Sequence, residues 1–199
     1  DSVSRIASSA AAQPAVSVRG NVGASFFRSP DALSEALHSG VDLGLGAGIR
    51  VYRGLSVTVR SGYDQFTLNE ETARLYQQIE VGDLSFLSGS IGLRYTYTND
   101  SDAHPYVLAG IGVYRGQQTD SRFYGGAGGD EPAATKTSVQ RGFHLALGSN
   151  FRLDDTYAVF VEPRFTFIEG KSDGFLISTQ DTETPRYFTL RLGLDVRLW

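Results

Sequence analysis

The side chains best suited to chemistry in this chain are charged, and they share one face of a repeated pattern. Arg19, Arg50, Arg60, Arg94, Arg152, Arg164, Arg191 and Arg197 occur with Asp42, Asp64, Glu162, Asp195 and His144 on the polar parity of alternating segments. Guanidinium groups bind carboxylates bidentately. In an enclosed space such pairing is obligatory, because an isolated buried charge is too costly. The chain holds 16 Arg against 2 Lys, Lys136 and Lys171. A surface open to water has no reason to avoid the ammonium group, whereas an enclosed ion-pair lattice does, because guanidinium is the more weakly hydrated. These thirteen residues are therefore expected to form one network.

Other chemistries find less support. His144, Ser149 and Glu162 are the residue types of a hydrolytic triad, but a triad is defined by geometry and not by presence. The expectation is an inward-facing histidine hydrogen-bonded into the Arg/Asp lattice, with no catalytic residue. His38 and His104 stand alone in a predicted loop and turn, and Cys is absent, so neither a metal site nor a disulfide is expected. The loop acids Asp31, Glu35, Glu70, Glu71, Glu80, Asp130, Glu131, Asp181 and Glu183 lack the spacing of a calcium loop and read as solvated charge. Gly125–Gly129 lacks a following Lys-Ser/Thr and reads as a loop tip rather than a phosphate cradle. No cofactor is implied. A net charge of −4 without a basic, aromatic-studded patch argues against nucleic acid.

The elements that position these residues are strands. From Tyr187 to Trp199, Phe188, Leu190, Leu192, Leu194, Val196 and Leu198 alternate with polar or small residues, a period of two over a length that crosses a bilayer. Seven further segments repeat the pattern, at about 15–27, 40–53, 55–68, 82–98, 105–116, 139–153 and 157–169. The connections between them alternate in length. Those at 53–54, 99–104 and 154–156 are short; those at 28–39, 69–81, 117–138 and 170–185 are long and rich in turn-forming residues. That alternation is the mark of a transmembrane meander. No run of eighteen apolar residues occurs, which excludes a transmembrane helix but not a barrel.

The polar face carries Gly44, Gly46, Gly48, Ser88, Ser90, Gly92, Gly110 and Gly112, small residues suited to the crowded lumen of a narrow barrel. A lipocalin-like soluble barrel has the same period with an apolar lumen, but these small residues, with the paired charges, favour an apolar face turned to lipid. At its ends Tyr95, Tyr97 and Tyr157 lie near the short turns, and Phe26, Tyr63, Phe167 and Phe188 near the long loops, as interfacial girdles. Pro163 cannot donate to a ladder and is expected to create a bulge that re-aims Glu162 or Arg164. Residues 1–14 read as a flexible lead-in to a barrel domain at 15–199, and the missing initial Met fits a removed export signal.

Three motifs carry a family resemblance: Gly40-Val-Asp-Leu-Gly-Leu-Gly-Ala-Gly48, Ser61-Gly-Tyr-Asp-Gln-Phe66 and Pro105-Tyr-Val-Leu-Ala-Gly-Ile-Gly112. With the closing aromatic strand, they make residues 15–199 similar to the small OmpA-like outer-membrane β-barrels, including the outer membrane protein β-barrel domain group. The resemblance implies an all-β, eight-stranded antiparallel up-and-down transmembrane β-barrel in the bacterial outer membrane. Short periplasmic turns and four long extracellular loops would complete it, with outer-membrane lipid and lipopolysaccharide as surroundings. Lipid A deacylase barrels resemble this fold but pair a His and a Ser two residues apart on the lipid side; here position 146 is Ala and His144 points inward. The family's terminal aromatic usually shares the lipid-facing parity, whereas Trp199 shares that of Arg197. The expected role is non-enzymatic, exercised through the long loops or by anchoring a protein partner at the loops or the periplasmic rim. A narrow channel for ions or small solutes through the lumen is the alternative.

Overall fold

The computed structural model describes residues 16–29, 37–68, 84–97, 101–119, 135–169 and 185–198. Within them lie eight strands: β1 (Val16–Ser29), β2 (Leu37–Tyr52), β3 (Leu55–Leu68), β4 (Leu84–Thr96), β5 (Ala103–Thr119), β6 (Thr135–Arg152), β7 (Tyr157–Ile168) and β8 (Arg186–Arg197). Each pairs antiparallel with its neighbour in sequence, and β8 pairs with β1, so the sheet closes into a barrel without edges. The lead-in 1–14, the loop acids, Gly125–Gly129 and Trp199 lie outside the described residues.

Strand ends depart from the periodicity where the ladder outruns the apolar face. β5 and β6 pair as far as Thr119↔Thr135, through polar residues such as Gln117↔Thr137 that carry no alternation of hydropathy. At the other end β5 begins at Ala103, so His104 is a strand residue rather than a turn residue, and His38 likewise falls within β2. The hairpin between β2 and β3 turns through Arg53 and Gly54. Gly54 takes φ 74°, a conformation costly for a side chain, and its carbonyl accepts from the Thr96 amide at 2.7 Å.

Pro163 makes no bulge. Its pairing with Leu190 on β8 continues in register. On the β6 side the rungs are interrupted between Ala146↔Arg164 and Ser149↔Val161 and then resume in the same register. The missing amide deletes ladder bonds without inserting a residue, so Glu162 and Arg164 keep the inward parity that alternation assigns them.

Closure separates the two faces. Outward side chains such as Leu45 (69% exposed), Ile111 (66%) and Leu147 (62%) form the apolar exterior, while the core is the lumen. Packing there relies on rings laid over glycines. Tyr106 covers Gly148, and Phe160 covers Gly193, places where an added Cβ would collide with the ring. One part of the lumen is not polar. Phe27, Phe66, Phe86, Leu84, Ile168 and Tyr187, all inward by parity, fill the long-loop end. Phe66 meets Phe27 edge-on at 4.7 Å and Tyr187 at 5.5 Å between centroids, and Phe86 stacks on Tyr187 at 6.0 Å.

Candidate functional site

The lumen lattice is organised around two buried carboxylates. Asp42 accepts Arg191 in a fork, Nε to Oδ1 and Nη2 to Oδ2, both at 2.9 Å. It also accepts Arg60 Nη2 at 2.8 Å and the Asn21 amide. Glu162 accepts Arg164 Nη2 at 2.8 Å and Nε at 3.0 Å, Arg191 Nη1 at 3.3 Å and the Tyr106 hydroxyl at 2.9 Å. Arg19 Nη1 lies 3.7 Å from Glu162 Oε2, the oxygen that accepts the Tyr106 hydroxyl. Arg191 thus bridges both hubs, and charge-assisted bonds of this kind are about twice as strong as neutral ones.

Glycines make the reach possible. In the ladders Gly23 of β1 stands between Arg191 of β8 and Asp42 of β2. Without a Cβ there, the Arg191 side chain passes over β1 to a strand two places away. An added Cβ would lie 3.1 Å from Arg191 Cγ and 2.5 Å from the Leu190 carbonyl oxygen. Arg60 uses Gly44 and Gly62 in the same way. The small residues of the polar face are the beds in which long cations lie.

Below the hubs, toward the short turns, Arg19 Nε lies 3.0 Å from Asp195 Oδ2, an ion pair without hydrogen-bond alignment. Its guanidinium donates to Asn150 at 2.8 Å and sits 3.9 Å from the centroid of Phe160, a cation–π contact. Arg94 donates to the same Asp195 oxygen at 3.2 Å.

The expected network is divided by the structure. Arg19, Asp42, Arg60, Arg94, Glu162, Arg164, Arg191 and Asp195 are linked by ion pairs. Asp64 lies across the ladder from Asp42 but accepts from hydroxyls instead, Ser25 at 2.9 Å and Tyr187 at 3.1 Å. His144 does not bond the Arg/Asp lattice; its Nδ1 meets the Tyr114 hydroxyl at 3.4 Å. Ser149 has the outward parity, so no triad forms with His144.

Arg50, Arg152 and Arg197 are not in the lattice. They line the short-turn mouth together with Asp195, whose ion pairs go to Arg19 and Arg94 instead. Arg152 Nη2 donates to His104 Nε2 at 3.1 Å, and Arg50 is exposed. Sequence reading missed Asn21, Ser25, Tyr106 and Tyr187 as partners. All have the inward parity, but hydroxyls and amides carry no charge to announce them.

Outside, Phe26, Tyr63, Tyr95, Tyr97 and Tyr157 are exposed on the apolar face. Phe188 and Phe167 are half-buried by neighbouring rings, Phe188 tilted against Phe165 at 5.0 Å and Phe167 stacked on Phe143 at 4.5 Å. Tyr52, 70% exposed at the β2–β3 hairpin, adds to the short-turn ring.

An edgeless eight-strand barrel with an apolar exterior, aromatic ends and an ion-paired lumen is an outer-membrane barrel. The chain matches the outer membrane protein beta-barrel domain over residues 2–197 and belongs to that family, which places it in the bacterial outer membrane. Similar solved structures include the Neisserial surface protein NspA, at 15% identity and a TM-score of 0.62, covering 91% of this chain and 96% of that one. OprG from Pseudomonas aeruginosa is similar at 14% identity and a TM-score of 0.52, covering 93% and 96%. At these identities the likeness is one of fold. Comparison with curated protein sequences gave no match.

Proposed function

We propose that this protein is a non-enzymatic barrel that works outside its lumen, presenting its long loops to a partner or anchoring one at a rim. The observation that supports this is a lumen closed twice. The Asp42 and Glu162 hubs cross its middle, and above them Phe66, Phe86 and Tyr187 are at most 1% exposed. Eight strands enclose room for side chains and little else. An ion passing through would have to part both layers.

Planar-bilayer recording tests the reading. The intact protein should show no unitary conductance, whereas Phe66→Ala/Phe86→Ala combined with Arg191→Ala should leak. Steady conductance of the intact protein, altered by Arg60→Ala or Glu162→Ala, would establish the channel instead. Lipid A hydrolysis lost on His144→Ala would overturn the non-enzymatic reading.

A further inference from the structure

We propose that the short-turn mouth of the barrel is a binding site for a phosphate-class oxyanion. A cavity of about 240 Å³ opens there, lined among others by Arg50, Arg94, Arg152, Arg197, His104 and Asp195. Four guanidinium groups face one carboxylate, and that carboxylate is already engaged by Arg94 and Arg19. Arg50, Arg152 and Arg197 have no carboxylate partner among the described residues; Asp102 in the adjoining turn is exposed and meets Arg152 only through the backbone, its carbonyl accepting the Arg152 amide at 2.9 Å.

The hydrogen bonds of the wall point the same way. Guanidinium can only donate, so the Arg152 bond makes His104 Nε2 an acceptor and puts the proton on Nδ1. That Nδ1–H has no acceptor, although His104 is only 4% exposed. Arg94 Nε, in a side chain 8% exposed, and Arg152 Nε also lack acceptors. Three buried donors without acceptors, in a wall of uncompensated positive charge, are the complement of a ligand rich in acceptor oxygens.

One further group narrows the class. Asp195 Oδ1 is buried without a donor. Hydrogen phosphate or a phosphomonoester monoanion carries both acceptor oxygens and an O–H that can donate to that carboxylate. Sulfate carries no such proton at neutral pH. The site therefore prefers a protonated phosphate group to sulfate. The group can arrive as free phosphate from the periplasm or as the phosphomonoester headgroup of a lipid of the phosphatidic acid class in the inner leaflet.

The test uses the barrel folded in a maltoside detergent, which contains no phosphate. Inorganic phosphate is titrated at constant ionic strength against chloride, and binding is read by calorimetry and by the arginine Nε–H resonances. Saturable binding, stronger for phosphate than for sulfate, is expected. Arg152→Ala and Arg197→Ala should each weaken it at least about tenfold, and Arg141→Ala, outward at the far end, should leave it unchanged.

Boiled and unboiled gel mobility checks that each variant is folded, and Arg152→Lys and Arg197→Lys retain the charge should an alanine variant fail. Phosphatidylcholine nanodiscs containing phosphatidic acid separate the sources. Resonances already at the bound position without added phosphate indicate a headgroup, and a shift only on addition indicates the free ion. A response that is linear, equal for chloride, or indifferent to all the mouth variants overturns the proposal.

Discussion

The middle of the lumen and its short-turn mouth use the same residue, arginine, to opposite ends. In the middle, Arg191 and Arg164 lie buried and Arg60 half-buried on Asp42 and Glu162, and Arg191 spends its donors on both. At the mouth, Arg50, Arg152 and Arg197 stand around a cavity with no carboxylate of their own among the described residues. The difference shows what burial demands. A guanidinium deep in the barrel is tolerable only when paired, whereas one at the rim can remain uncompensated because water screens it. A paired cation holds the fold together, and an unpaired one is available to a ligand.

Breaking the middle should cost most. Arg191→Ala strips the forked donor from Asp42 and one donor from Glu162, leaving each buried carboxylate with one arginine fewer, a loss of about 3–5 kcal/mol. Urea unfolding in detergent, followed by the heat-modifiable gel band, would measure it; a change below about 1 kcal/mol would mean that the lattice is no stronger than a surface pair. An intermediate effect is expected at Gly23→Ala, where the new methyl group collides with the Leu190 carbonyl and crowds Arg191 off its path. Overpacking of this kind costs about 1–3 kcal/mol. It should be non-additive with Arg191→Ala, because both act on one contact. At the mouth, Arg50→Ala in phosphate-free buffer should shift stability by no more than about 0.5 kcal/mol, and a large loss there would erase the contrast between the two regions.

Much of this organisation was legible in advance. The parity of eight segments assigned nearly every side chain to the correct face, because closure of a barrel preserves alternation and no residue is inserted at Pro163 to shift it. β3 kept its expected bounds of 55–68, since a tight hairpin and a change of composition mark its ends. What escaped was of two kinds. Residues without charge gave no sign that they would join the buried acids, Asn21 and Tyr106 at the hubs and Ser25 at Asp64. Phe27, Phe66 and Phe86 carry the inward parity, but only their meeting in three dimensions shows that they seal the lumen.

The amino-acid sequence by itself determined that the chain forms strands with one apolar and one charged face, and that their connections alternate in length. Those are local properties, carried by the period of two and by turn composition. Pairing was decided only in three dimensions. Arg191 and Asp42 are 149 positions apart and meet because β8 closes on β1, Gly23 lowers the wall between them, and the sheet's register sets them level. The sorting of arginines into lattice and mouth has the same origin: depth along the barrel, which no local pattern records, decides which charges must be paired and which may stand free.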